Sequence, residues 1–306
     1  MMAERSRRNT GDPKRRDERP GGAGVNPRVI AATLAVVALV VTVYHQTLVT
    51  LWRTWDSNPN YSHGYLIPPV VAFLLWHERK RFLDARGRGA PMGLVLIALA
   101  LVGHILSIRA GVFMTQGYSL VILLFGLSLF FYGGRATRAV WFPLAYLVFM
   151  LPMPPYLMNV IAFRLKVFAA RAGSGTAVRL GIPLARSGMT IHIPAGSLRI
   201  ADPCSGLRSL IALVALGALF AYMTRGSLWK RLALFASAVP LAVLANVVRI
   251  SVLCVVANVW GIDAALGFFH DFSGLLLFMI AFVGLVVVRK LLRMDSGAAV
   301  GEEASA

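Results

Sequence analysis

Residues 232–259 read LALFASAVPLAVLANVVRISVLCVVANV, and this stretch decides the fold. It carries a single charged residue, Arg249, in a run that as a helix would be about 42 Å long at 1.5 Å per residue. The hydrocarbon core of a bilayer is about 30 Å thick, so such a run is a membrane-spanning helix. A guanidinium inside a span is costly and points at a cavity or a partner group, with snorkelling to the nearby interface as the bland alternative. Asn246 lies three residues earlier and shares its face.

Working outward, similar runs recur. The chain of 306 residues is 58% hydrophobic and only 14% charged, too apolar for a soluble domain to cover with polar surface. Apolar segments at about 29–50, 65–77, 91–108, 112–132, 139–151, 205–224, 232–259 and 268–288 suggest eight spans. The fold class expected is therefore an all-α polytopic membrane bundle. Residues 1–27 form a charged, Gly/Pro-bearing cytoplasmic tail with nothing to bury, 28–290 the transmembrane domain, and 291–306 a second cytoplasmic tail. Between spans five and six, YLMNVIAFRLKVFAARAG (156–173) places Leu157, Ile161, Leu165 and Phe168 at helical spacing, as in a helix lying in the interface. MTIHIPAGSLRIA (189–201) alternates on both sides of Ala195-Gly196 and reads as a β-hairpin.

The net charge of +18 would suggest nucleic acid in a soluble protein. Here Lys and Arg sit between apolar runs, so they read as topology signals and no nucleic-acid partner is expected. Most of them fall in segments that eight spans would leave inside, which puts both termini in the cytoplasm of an inner (plasma) membrane protein. On that topology Arg249 lies about 26 Å along its outward-running span, near the outer face. The start of the sixth span and His270, at the start of the eighth, lie at the same face.

The sixth span is preceded by ADPCSGLRSL (201–210). Asp202 is a favoured N-cap type and Pro203 suits the first helical position, which would set Cys204 in the first turn. Unpaired N–H groups there favour an anion and lower a thiol pKa. Arg208, one turn on, would add to that effect, and Asp202 would oppose it. Packing is the alternative reading for Cys204. His270 in GFFHDFSG could act as base or imidazolium partner for a thiol, with Asp271 or Asp202 to orient it, or be structural. His63, in YSHGYLIPP on the outer side, could line the same pocket. His45, His77, His104 and His192 lack metal-ligand spacing. Cys254 reads as packing, and two cysteines make no disulfide framework. No metal or cofactor is expected, since no zinc, phosphate-loop or dinucleotide motif occurs.

Taken in order, SHGYLIPP, VFMLPMPP, CSGLRSL, NVVRI and HDFSG resemble the exosortase/archaeosortase family of integral-membrane cysteine transpeptidases over about residues 50–290. The resemblance implies Cys204 as nucleophile with Arg249 and His270 completing a triad; around them Asp202, Ser205, Arg208, Asn246 and His63 are read as supporting residues. Where the family commonly has Glu-Ala before Cys-Ser-Gly, this chain has Asp202-Pro203. The implied substrates are exported proteins ending in a short Pro-Glu-Pro-type motif, a membrane helix and a basic cluster. They would be cleaved at the outer membrane face through a thioester that an acceptor nucleophile or water resolves. The competing classes are a transporter, for which no internal repeat is visible, and an assembly protein for envelope polysaccharide.

Overall fold

The computed structural model describes residues 27–199 and 206–294. The expected tails therefore fall almost wholly outside the described residues, as do Asp202, Cys204 and Ser205. Contacts divide the chain after His45 into two compact units. The first contains the opening part of helix α1 (Pro27–Ser57), most of whose described residues are exposed apolar side chains.

The second unit is helical apart from one small sheet. After α1 comes a 3₁₀ turn, Pro59–Leu66, then α2 (Ile67–His77) and α3 (Arg79–Asp84). Helices α4 (Met92–Arg109) and α5 (Phe113–Ala139) form an antiparallel pair, followed by α6 (Trp141–Tyr146), a 3₁₀ turn Leu147–Met150, and α7 (Pro155–Arg179). Strands β1 (Ala185–Ser187), β2 (Thr190–Ile193) and β3 (Gly196–Arg199) precede α8 (Leu207–Met223), α9 (Leu228–Trp260), α10 (Ile262–Leu266) and α11 (Phe268–Leu291).

Five of these helices are long and apolar enough to cross a membrane, or six if the bent pair around residues 151–154 is one broken span. This makes the chain an all-α polytopic membrane protein, and corrects the expected count of eight. The run at 65–77 yields only the 11-residue α2, about 16 Å long and half the hydrocarbon thickness. The run at 139–151 breaks into α6 and a 3₁₀ turn, and the chain then bends by 75° into α7. The prolines of LPMPP (151–155) enforce that break, since proline cannot donate to a preceding helical carbonyl. Helix α8 has 17 residues, about 25 Å, also short of a full crossing.

Helix α7 covers the segment expected to be helical, 156–173, and extends one residue before it and six beyond it. Leu157 and Phe168 of the expected stripe remain exposed. The buried face is made of small residues, Ala162, Ala169, Ala170, Gly173, Ser174 and Ala177, which let α9 approach closely. Ser251 of α9 donates to the Gly173 carbonyl at 3.3 Å. The expected hairpin is present with its turn one residue earlier, at Pro194-Ala195, because Ile193 pairs with Gly196. Strand β1 adds an antiparallel partner to β2 that the alternation pattern did not reveal. The sheet buries Ile191, Ile193 and Leu198 against α7 and the C-terminal part of α9, where Cys254 is fully buried among Ile250, Leu253 and Ala257. A separate cluster, Leu213, Leu234, Ala238, Ala242, Ala281 and Leu285, joins α8, α9 and α11.

Candidate active site

The α8–α9–α11 cluster carries polar groups at one end. Arg249 and Asn246 of α9 are both buried, on adjacent turns of one helix face. The Arg249 Nε donates to Ser273 Oγ of α11 at 3.2 Å, and Ser273 is itself buried. The next residue of α11 is a glycine, and a Cβ at Gly274 would stand 3.5 Å from Arg249 Nη2. A larger residue there would press on the guanidinium. His270 and Asp271 occupy the first turn of α11, three and two residues before Ser273. Their side chains are outside the described ones.

Helix α8 starts later than expected. Its N-cap is Gly206, with φ of 74°, and its first helical residue is Leu207. An L-residue pays for this left-handed backbone, and glycine does not. Gly206 also has no room for a side chain, because a Cβ would fall 2.6 Å from Asn246 Cγ. The described part of α8 thus begins behind a glycine cap; the cap expected at Asp202 and the first-turn position expected for Cys204 lie outside the described residues. Arg208 stands exposed in that first turn.

Two cavities flank Asn246. One, with room for about one water molecule, lies between α8, α9 and α11, with Ser209, Asn246, Arg249 and Gly274 at one end. The other, equally small, is bounded by Gly206 and by Leu165 and Ala169 of α7. The described part of the candidate site is therefore a buried cation and an amide beside the capping glycine, on helices drawn from three separate stretches of sequence. Such a cation can stabilise developing negative charge on a substrate oxygen.

His63 lines neither of these cavities. Its Nε2 is 3.1 Å from the Phe149 carbonyl, and with that nitrogen protonated it donates the bond. Trp55 Nε1 donates to the Met150 carbonyl at 2.9 Å, and the Met153 N–H donates to Tyr61 Oη at 3.0 Å. These side chains satisfy backbone groups that the 75° break leaves without helical partners. The motifs SHGYLIPP and VFMLPMPP are thus one physical unit, a brace across the bend. Gly64 belongs to it, since a Cβ there would collide with the Trp55 indole. Burial pushes the His63 pKa below the ordinary value, outweighing the hydrogen bond to Phe149 that pulls it up.

At the opposite end of α8, Glu78 is buried and accepts a 2.8 Å bond from Tyr222 Oη. The Tyr222 ring stacks on Phe142 with centroids 3.9 Å apart. Arg231 donates to the Ala221 and Tyr222 carbonyls, capping the C-terminus of α8. No sequence motif pointed to this cluster. The clue was a glutamate directly after an apolar run, which reads equally well as a solvated helix end. Among the described residues, no three His, Cys, Asp or Glu side chains are grouped so as to hold a metal ion.

A family profile described as transmembrane exosortase matches residues 55–287. No curated protein matches the chain, and no solved structure does.

Proposed function

The chain belongs to the transmembrane exosortase family, and on that premise we propose that it is a membrane-embedded cysteine peptidase or transpeptidase acting on the C-terminal sorting tails of exported proteins. The observation that carries the reading is the packing around Asn246 and Arg249. Gly206, two residues after Cys204, abuts Asn246, and Ser273, three residues after His270, is bonded to Arg249. The described residues that follow Cys204 and His270 in sequence thus pack on one stretch of α9, which supports the reading.

In the proposed reaction the Cys204 thiolate attacks the carbonyl carbon of the scissile peptide, and Arg249 stabilises the oxyanion that forms. The C–N bond breaks as His270 delivers a proton to the departing amine, leaving the exported portion as a thioester on Cys204. An amine, a hydroxyl or water then attacks that thioester and gives its proton to His270, and the thiolate leaves. The substrate tail suits a site within a bilayer: its apolar helix stays in lipid and enters laterally, while its basic cluster remains on the cytoplasmic side. We place the site at the exported face of the plasma membrane, with both termini cytoplasmic.

The test is co-expression with an exported reporter ending in a Pro-Glu-Pro-type motif, a membrane helix and a basic cluster. Cys204→Ala is expected to abolish shortening of the reporter, and Cys254→Ser to leave it intact. Normal shortening by Cys204→Ala would end the peptidase reading.

A further inference from the structure

Helix α7 has two unlike faces. The buried one is made of small residues and packs on α9. The exposed one carries Tyr156, Val160, Phe163, Phe168 and Val178 interleaved with Arg164, Arg171 and Arg179. Arg164 and Arg171 are seven residues apart, on one line of the helix about 10 Å long. Along the chain nothing answers these charges: no aspartate or glutamate occurs between Asp84 and Asp202, while residues 155–199 hold six lysines and arginines. The bend before α7 limits how that face can lie. The chain turns by 75° into α7, so its 25 residues, about 37 Å, advance only about 10 Å along the direction of the limb before it. A limb that enters the bilayer steeply is therefore followed by one close to the membrane plane. As a steep span, α7 would carry Arg164, Lys166 and Arg171 through hydrocarbon, where each charge is costly.

We propose that the exposed face of α7 docks on anionic phospholipid headgroups, with its rings and aliphatic side chains at the acyl boundary and Arg164, Arg171 and Arg179 bonded to headgroup phosphates. A guanidinium matches a phosphate through paired N–H···O bonds, and the long arginine stem lets the charge reach the headgroups while the apolar side chains sit lower. An acidic peptide would answer the charges alone and leave Tyr156, Phe163 and Phe168 in water. A lipid surface answers both. The buried face of the same helix reaches the candidate site, where Leu165 and Ala169 stand beside Gly206 and Asn246, and the Gly173 carbonyl accepts from Ser251 of α9. Lipid held on one face thus steadies the wall of the site on the other. The inference needs only a bilayer and does not rest on the peptidase reading.

The experiment uses the full-length chain with Cys204→Ala and Cys254→Ser, labelled with a fluorophore at Phe168→Cys and reconstituted in phosphatidylcholine bilayers. Quenching by brominated phosphatidylglycerol, compared with brominated phosphatidylcholine, reads the lipid preference beside α7. Phosphatidylglycerol is expected to be favoured there at least about fivefold, the factor that one arginine near an anionic surface is typically worth. The same label at Val102→Cys, on the exposed side of α4, is expected to show no preference. Arg164→Gln/Arg171→Gln/Arg179→Gln should bring the α7 preference close to one, and the corresponding lysine variant should keep most of it. If the glutamine triple fails to fold, Arg164→Gln and Arg171→Gln singly decide, each lowering the preference. Equal quenching by the two lipids at position 168, quenching by neither, or a preference that survives the glutamines overturns the proposal. Loss of the preference on adding soluble glycerol phosphate, or an acidic peptide, overturns lipid as the occupant and assigns the face to a soluble anion instead.

Discussion

Arg249 Nε donates to Ser273 Oγ at 3.2 Å, a buried side-chain bond that joins α9 to the second turn of α11. It links the intramembrane cation to the helix whose first turn contains His270. A serine hydroxyl accepts from the guanidinium without itself carrying a charge.

Ser273→Ala removes that acceptor and should lower reporter processing about tenfold or more, matching the roughly 1.5–3 kcal/mol assigned to a hydrogen bond to a charged group. Ser273→Thr keeps the hydroxyl and should retain most activity. Initial rates of reporter shortening in proteoliposomes distinguish them. Equal activity of Ser273→Ala and wild type would remove Ser273 from any positioning role.

Gly206→Ala should destabilise the protein by about 1–2 kcal/mol through its left-handed backbone alone, with a further loss from the contact with Asn246. Asn246→Ala in the same chain should restore only the steric part. Thermal unfolding in detergent of the two single variants and the double variant separates the contributions. A neutral Gly206→Ala would contradict the close packing of the α8 cap on α9.

His63 gives a pH dependence with a definite sign. Its folded-state pKa lies below the ordinary value of 6.5, so between those two values the unfolded chain binds a proton that the folded chain does not. Stability therefore falls as pH drops below about 6.5 and is independent of this group above it. His63→Gln, whose amide N–H can still reach the Phe149 carbonyl, should flatten that acid limb. Melting temperatures of both proteins between pH 5 and 8 make the comparison, and parallel curves would contradict the assignment.

Tyr222→Phe leaves the buried Glu78 carboxylate without its phenol donor and should cost about 1–3 kcal/mol. Glu78→Gln should cost less, because an amide oxygen still accepts from Tyr222. The cluster lies at the far end of α8 from Asn246, so processing by correctly folded Tyr222→Phe should stay near wild type below its melting temperature.

Much of this was legible in the sequence where the signal is local. The long apolar run around Arg249, the shared face of Asn246 and Arg249, and the alternation at residues 189–201 each depend on spacing within one element. Span counting failed where length and breaks decide: the 65–77 run gives only α2, and the prolines at 152, 154 and 155 turn one expected span into a 75° bend. The Asp-Pro cap lies outside the described residues, and the left-handed Gly206, with no room for a Cβ beside Asn246 40 residues away, is a tertiary feature that no local pattern announces. His63 was expected near the pocket from its place on the outer side. Its partner Phe149 is 86 residues distant, and no periodicity encodes such a pairing. The packed face of α7 was hidden because its small residues carry little hydrophobic signal, although they let α9 come close.

The central claim is that Cys204 becomes acylated by the substrate. Mass spectrometry of the protein quenched in acid during turnover of the sorting-tail reporter tests it most directly. The account predicts a covalent adduct of the reporter's exported portion on Cys204, released by neutral hydroxylamine, absent from Cys204→Ala and retained in Cys254→Ser. An adduct carried by Cys254, or reporter shortening that persists when Cys204 is alanine, would contradict it.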